Sequence, residues 1–345
     1  MLPVFDGHND ALTRDDHALI AQGRPDGHLD LPRMRAGGVR GAIFAVFTRS
    51  AGGARDVQVP RDDGVVEFEL AAPVEHAVAA ADATAVAGRL LALEHAGFVR
   101  VARGAGDLDR AVSDDGDGPP VAVLHLEGAE AIDPGLEALD LWYEAGLRSV
   151  GPVWSRSNAF AHGVPFVSPS TPDIGPGLTD AGRALARRCA ELGILIDVSH
   201  MNEAGFWDLA QMDLGPIVAS HSAVHTLCPT SRNLTDAQID AVGASGGLVG
   251  IVFAVAFLRP DFADDPDTPI SLIAQHARYV ADRIGVAHVA LGSDYDGATM
   301  PAPLGDVAGT PKLLDALAEV GFNESELRQI AWDNWRRVLG AWWRD

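Results

Sequence analysis

The chain has 345 residues, 47% hydrophobic and 21% charged, with 48 Asp and Glu against 26 Lys and Arg and a formal net charge of −22. That composition can bury a large globular core. So acidic a surface repels phosphate backbones and anionic headgroups, which argues against nucleic acid or a membrane as partner.

The two cysteines, Cys189 and Cys228, form no CxxC pair, which disfavours a thiolate zinc site or a disulfide framework. "MLPVF" lacks the basic region and long apolar run of a signal peptide. No stretch reaches about 18 uninterrupted apolar residues, so no membrane span is expected. A cytoplasmic protein is the resulting expectation.

Along the chain, eight short apolar runs read as buried parallel strands. They are residues 2–5, 41–47, 121–128, 146–154, 193–200, 216–222, 247–257 and 288–297. Helical patterns separate them: an Ala-rich segment over 65–103, either two helices or one bent at Pro73, then 135–145, 179–192, 202–212, 235–245, 271–285, 310–320 and a last helix over 324–342. Thr179-Asp180 opens and Gly193 closes one of them, a good start and stop pair. The Gly/Pro-rich piece 163–178 reads as a long loop of functional character. Eight β-then-α units predict a (β/α)8 (TIM) barrel forming a single domain over 1–345 with C-terminal helices. A doubly wound open sheet is the alternative. Trp332, Trp335, Trp342 and Trp343 either pack back on the barrel, the favoured reading, or make a homodimer contact.

The reactive residues gather at the ends of the apolar runs. His8 and Asp10 follow the first, His125 and Glu127 the third, His200 the fifth, His221 the sixth, and Asp294 and Asp296 the eighth. In a parallel barrel those ends share one rim, where active sites sit. Imidazoles and carboxylates without thiolates suit zinc or another divalent first-row metal. His8 and Asp10, two apart on extended chain, point the same way and can chelate one ion. His200 and His221 can hold a second, with Glu127 bridging the two, an arrangement able to activate water. Taken singly, Asp10 reads as a turn cap, and His200 or His221 as a satisfied core histidine. Taken together, they read as a metal centre. His125 is equally a neighbour of that centre or plain interior. His17, His28, His76, His95, His276 and His288 are expected to be solvated. Asp294, first after the eighth strand, is preferred over Asp296 as a proton carrier. Arg232 is either a clamp for a substrate carboxylate or a surface ion-pair partner.

The pieces "DGHND", "HLEGAEAI", "ILIDVSHMNEAGFWD", "IVASHSAVHTLCPTSRNLTD" and "VALGSDYDG", in this order over residues 6–297, together resemble the membrane dipeptidase (renal dipeptidase) family of metallopeptidases. The closing "NWRRVL" looks like that family's C-terminal helix. The resemblance implies a TIM barrel of the metal-dependent hydrolase (amidohydrolase-like) type holding two zinc ions (Zn2+). It implies hydrolysis of dipeptides, L-Xaa-D-Xaa among them, by a metal-bridging hydroxide. His8 and Asp10 would hold one zinc, His200 and His221 the other, and Glu127 would bridge. Asp294 would shuttle the proton and Arg232 would grip the free carboxylate. One position departs: where mammalian members carry a carbonyl-polarising His, this chain has Trp154. Trp154 itself, Asn158, His162 or the metals alone would then do that work. An N-acyl-D-amino acid or lactone hydrolase on the same barrel, and a non-catalytic metal-binding relative, are the alternative functions.

Overall fold

A computed structural model describes residues 1–49, 58–60, 64–68, 72–113 and 118–344. The eight apolar runs all contain parallel strands: β1 (Val4–Asn9), β2 (Val39–Phe47), β3 (Val121–Glu127), β4 (Leu147–Gly151), β5 (Leu195–Ile196), β6 (Val218–Ser222), β7 (Leu248–Ile251) and β8 (Val289–Leu291). β1 to β5 lie in chain order in one parallel sheet, with Arg100–Val101 added beside β3, and β6 to β8 form another. Parallel bridges join the two sheets at both edges, from Asp197 to Val218 and from Asn9 to Tyr295. Val198 N–H donates to Val218 O, and Asp10 N–H to Tyr295 O, each at 2.8 Å. The result is an α/β fold built on a curled parallel sheet. Every residue of β3 is buried, as strands covered on both faces require.

The helices are α1 (Leu31–Ala36), α2 (His76–His95), α3 (Ala105–Ser113), α4 (Glu137–Glu144), α5 (Asp180–Leu192), α6 (Glu203–Met212), α7 (Asp236–Ala244), α8 (Val255–Leu258), α9 (Ser271–Ile284), α10 (Thr310–Glu319), α11 (Glu324–Arg328) and α12 (Asn334–Trp342). α5 has the expected ends: the Thr179 side chain accepts from Gly182 N–H, and Gly193 closes it with φ 78°. Gly takes that left-handed conformation without a Cβ penalty.

Several boundaries differ from expectation. The segment 65–103 is neither two helices nor one bent helix: it holds strand Val66–Phe68, helix α2 and strand Arg100–Val101, and Pro73 precedes the helix. By length and composition α2 is apolar enough to cross a membrane; here it buries Ala79, Ala83, Val86, Ala87 and Leu90. The run 247–257 divides into β7 and α8. The last helix is interrupted by a π-helical turn over Gln329–Asp333. Within the loop 163–178, Val167–Ser168 pairs with Val66–Phe68, which pairs with Gln58–Pro60, in a small antiparallel sheet. Parts of the pocket-forming loop expected over 48–64 lie outside the described residues.

The four C-terminal tryptophans pack inward, all at most 7% exposed. Their ring nitrogens reach the strand side: Trp335 donates to Leu291 O, Trp342 to Pro216 O and Trp343 to Arg148 O. Trp332 and Trp335 also pack on Phe5 of β1, with centroids 5.8 and 5.5 Å away. This explains Gly7: a Cβ there would collide with the Trp335 ring. The tryptophans therefore sit on the residues that precede His8, leaving the opposite ends of the strands for chemistry.

Candidate metal centre and active site

β1 and β3 deliver His8 and Glu127 at their C-terminal ends, and Asp10 follows β1 directly. His221 lies within β6. His200 and Asp294 lie beyond their strands on tight turns, with φ 66° and 64°. Non-glycine residues rarely adopt that conformation, and where they do they often serve a site.

The Glu127 carboxylate faces two ways. Its Oε1 lies 3.1 Å from His200 Nε2 and 3.6 Å from His221 Nε2. Its Oε2 lies 3.6 Å from His8 Nε2, which is 3.5 Å from Asp10 Oδ2. The two imidazoles on the first side approach to 2.9 Å between Nε2 atoms. Ligands on one tetrahedral metal at about 2.0–2.2 Å stand roughly 3.3–3.6 Å apart; the His8–Asp10, His8–Glu127 and His221–Glu127 separations match that spacing, and His200 stands closer to both of its neighbours. His8, Glu127 and His221 form one compact ligand group, and His8, Asp10 and Asp294 another. Both ring nitrogens of His8 are buried without a hydrogen-bond partner. A cation at Nε2 would satisfy one of them.

The electrostatics divide the imidazoles: against burial, Glu127 and Asp10 lift His8 well above the usual imidazole range, so its charge is balanced by the carboxylates that share the site. Burial, then the neighbouring His8 and Arg232 charges, push His221 well below the usual imidazole range; burial and Arg232 push His200 down to about 4. Both therefore present lone pairs at neutral pH. Burial works against the Glu127 charge, but His8 and His200 outweigh it and hold the carboxyl well below the ordinary range. Asp294 goes the other way: burial, with the repulsion of Asp10 and Glu127 added, lifts it well above that range. Gly297 leaves space here, since a Cβ would strike the Asp10 and Asp294 carboxylates.

A cavity of about 1040 Å³ opens on this cluster. Asp10, Glu127, His200 and Asp294 lie on its floor and Phe47, Phe68, Trp154, Phe166 and Phe257 on its wall. The Trp154 ring sits 5.1 Å from Phe47, 5.7 Å from Phe166 and 5.8 Å from His200, centroid to centroid. Arg232 is buried behind Phe257, its guanidinium 5.7 Å from that ring. It donates to Ser222 Oγ at 2.8 Å and to His221 O at 2.7 Å, and its Nε–H has no partner. Burial pushes it down to about 10. It is no surface ion-pair residue.

Other expectations are corrected. Asn158 is not on the cavity wall: its amide donates to Pro152 O and accepts from Phe160 and Ala161 N–H, closing its own turn. His162 pairs with Ser157 Oγ. His125 packs edge-on to His8 and pairs with Ser149 Oγ at 2.9 Å, in the layer beneath the cluster. His276 is buried, accepting from Val224 N–H and pairing with Leu258 O. His28 lies on the cavity wall, where its Nδ1 accepts from Asp296 N–H. Asp296 is held by Arg24 and by His28 N–H, so it supports the turn.

Sequence reading missed the aromatic wall and the serines behind the imidazoles. Ser155 Oγ lies 2.8 Å from His200 Nδ1, and Ser220 Oγ 2.8 Å from His221 Nδ1. A signal for Ser220 existed: the fifth and sixth apolar runs both carry Ser-His, in "DVSH" and "VASHS".

Residues 1–342 match the family model of membrane dipeptidase, peptidase family M19. A solved metallopeptidase from Rhodobacter sphaeroides, liganded with a phosphinate mimic of the dipeptide L-Ala-D-Ala, is 40% identical, covers 99% of both chains and superposes with a TM-score of 0.93. A second solved structure, a metallopeptidase of family M19 described as dipeptidase AC, is 41% identical over 99% of both chains with a TM-score of 0.90. An uncharacterized Klebsiella pneumoniae protein of the pqqA 5′ region is 46% identical over 72% of this chain and 91% of its own length. The chain belongs to the membrane dipeptidase family, and is a metallo-dipeptidase, a hydrolase whose family requires a bound metal.

Proposed function

We propose that this member of the membrane dipeptidase family is a dinuclear zinc dipeptidase that cleaves dipeptides, L-Xaa-D-Xaa among them. One observation carries the reading: the two oxygens of Glu127 face separate ligand sets, His200 with His221 and His8 with Asp10. Imidazole and carboxylate donors without thiolate suit zinc. Two such cations, when bound, activate water and offset the charge that develops on the peptide carbonyl oxygen.

The chain's own residues do the rest. Arg232 has a buried, unpartnered Nε–H behind Phe257, and a substrate carboxylate is the natural acceptor for it and the neighbouring Nη–H groups. Asp294, beside His8 and Asp10, takes the proton of the attacking water and delivers it to the departing nitrogen. Trp154 has no second ionisation state with which to polarise a carbonyl, and in this reading it shapes the aromatic wall. The solved Rhodobacter relative bound to an L-Ala-D-Ala mimic supports a D-residue at the second position. The two parallel sheets, joined by bridges at both edges, are read as one closed (β/α)8 barrel with the centre at its C-terminal rim.

The test joins metal analysis to a dipeptide panel containing L,L, L,D and N-acetylated members. The expected result is two zinc ions per chain, turnover of free dipeptides including L,D forms, loss of activity on chelation and recovery with zinc. A single bound ion at full activity, or a preference for N-acetylated substrates, would overturn the proposal.

A further inference from the structure

Behind the imidazoles, one line of hydrogen bonds has a fixed direction. Asp197 follows β5 and is 1% exposed. Its Oδ1 accepts from Ser199 N–H at 3.0 Å, Ser199 Oγ at 2.9 Å and Ser220 N–H at 2.8 Å. Its Oδ2 accepts from Ser220 Oγ at 2.5 Å. A serine hydroxyl has one proton. With that proton on Asp197, and with the Ser199 hydroxyl, 3.4 Å away, donating to the same carboxylate, Ser220 Oγ can only accept from His221 Nδ1 at 2.8 Å. Nδ1 of His221 then carries the hydrogen, and Nε2 is left as a lone pair, 2.9 Å from His200 Nε2, which can donate to it, and 3.6 Å from Glu127 Oε1. The Ser199 hydroxyl, committed to the same carboxylate, accepts from His221 N–H at 3.2 Å and pins the backbone as well. His8, on the other side of Glu127, has no such support: its Nδ1 is without a partner.

We infer that Asp197 and Ser220 are positioning residues that fix the tautomer and orientation of His221, and through it the affinity of one of the two cation positions. The inference rests on the two-cation reading above. It concerns the His200–His221–Glu127 position alone; the His8–Asp10–Glu127 position lies outside the relay. Partners of this kind behind a ligand imidazole typically set metal affinity by about 10- to 100-fold.

The experiment compares wild type, Ser220→Ala and Ser149→Ala by zinc titration against a competing chelator. It also reads the His221 ring by ¹⁵N NMR in metal-free protein. Ser149→Ala removes a buried hydroxyl from His125, which belongs to neither ligand triplet but whose Nε2 stands 3.9 Å from Asp197 Oδ2, and so controls for the cost of such a deletion beside the same carboxylate. The expected result is a 10- to 100-fold loss of affinity for one zinc in Ser220→Ala, with the other zinc and the Ser149→Ala protein close to wild type. In metal-free wild type the His221 hydrogen sits on Nδ1; in Ser220→Ala that preference is lost. Equal weakening of both ions, or no weakening, overturns the inference, as does a wild-type His221 protonated on Nε2. A wild type that holds one zinc only defeats the two-cation reading instead, and the NMR result then decides the relay on its own. If Ser220→Ala does not fold, the wild-type tautomer still decides it.

Discussion

Arg232→Met is the sharpest test of substrate recognition. The guanidinium carries five N–H donors, and two of them are engaged, with Ser222 Oγ and His221 O. The remaining donors include the buried, unpartnered Nε–H. A carboxylate taking two of them would form two charge-assisted hydrogen bonds, each contributing about 1.5–3 kcal/mol. Their joint loss is about 3–6 kcal/mol, or roughly 10²- to 10⁴-fold in kcat/KM at 1.4 kcal/mol per decade. The substitution also frees the His221 carbonyl, so a bare loss of activity proves little. The assay therefore compares a dipeptide with its C-terminal amide in both proteins. Wild type is expected to prefer the free acid by roughly 10²- to 10⁴-fold, and Arg232→Met to show almost no preference. Arg232→Lys, which keeps the charge without the fork, should fall between them. If wild type hydrolyses acid and amide alike, or if the variant loses the same factor on both, Arg232 does not read the carboxylate.

Asp294→Asn should lower kcat by about 10²- to 10⁴-fold, the usual weight of a positioned acid–base group, with zinc content unchanged by elemental analysis; a loss of metal in parallel would assign Asp294 to the ligand shell instead. His276 allows a pH test away from the metal cluster. Burial pushes its pKa in the folded protein down to about 4, from the ordinary imidazole value of 6.5. Between those values the unfolded chain takes a proton that the folded chain refuses, so stability falls as pH drops from 6.5 towards 4. On this difference wild type should lose about 3 kcal/mol more than His276→Gln over that interval in denaturant unfolding; parallel curves would show that His276 does not titrate this way.

The strands were legible because buried parallel strands are runs of Val, Ile and Leu, and the ligand cluster because its members stand at the ends of those runs. Where the chemistry changes within a run, legibility stops. "GLVGIVFAVAF" is apolar throughout, and periodicity cannot divide it into β7 and the turn of α8. The sheet made by Gln58–Pro60, Val66–Phe68 and Val167–Ser168 has strands too short to show a two-residue period. Asn158 misleads because a short amide beside a metal loop looks available, whereas its own turn consumes it. His276 looks like a polar residue on a helix, yet it ties α9 to the backbone at Val224 and Leu258, a contact with partners distant in sequence.

The tryptophan-rich end has a consequence for how the chain is made. β1 is synthesised well before the segments it packs on: Asp6 receives Ser293 N–H from a sequence separation of 287 residues, and Phe5 waits still longer for Trp332 and Trp335. At about 5–20 residues per second, roughly 15–60 s separate the synthesis of the two contacting segments. Throughout that interval one edge of β1 and the apolar face at Phe5 lack their final partners. The nascent chain is thus most open to wrong pairing at the segment that carries His8 and Asp10, until its last helix arrives.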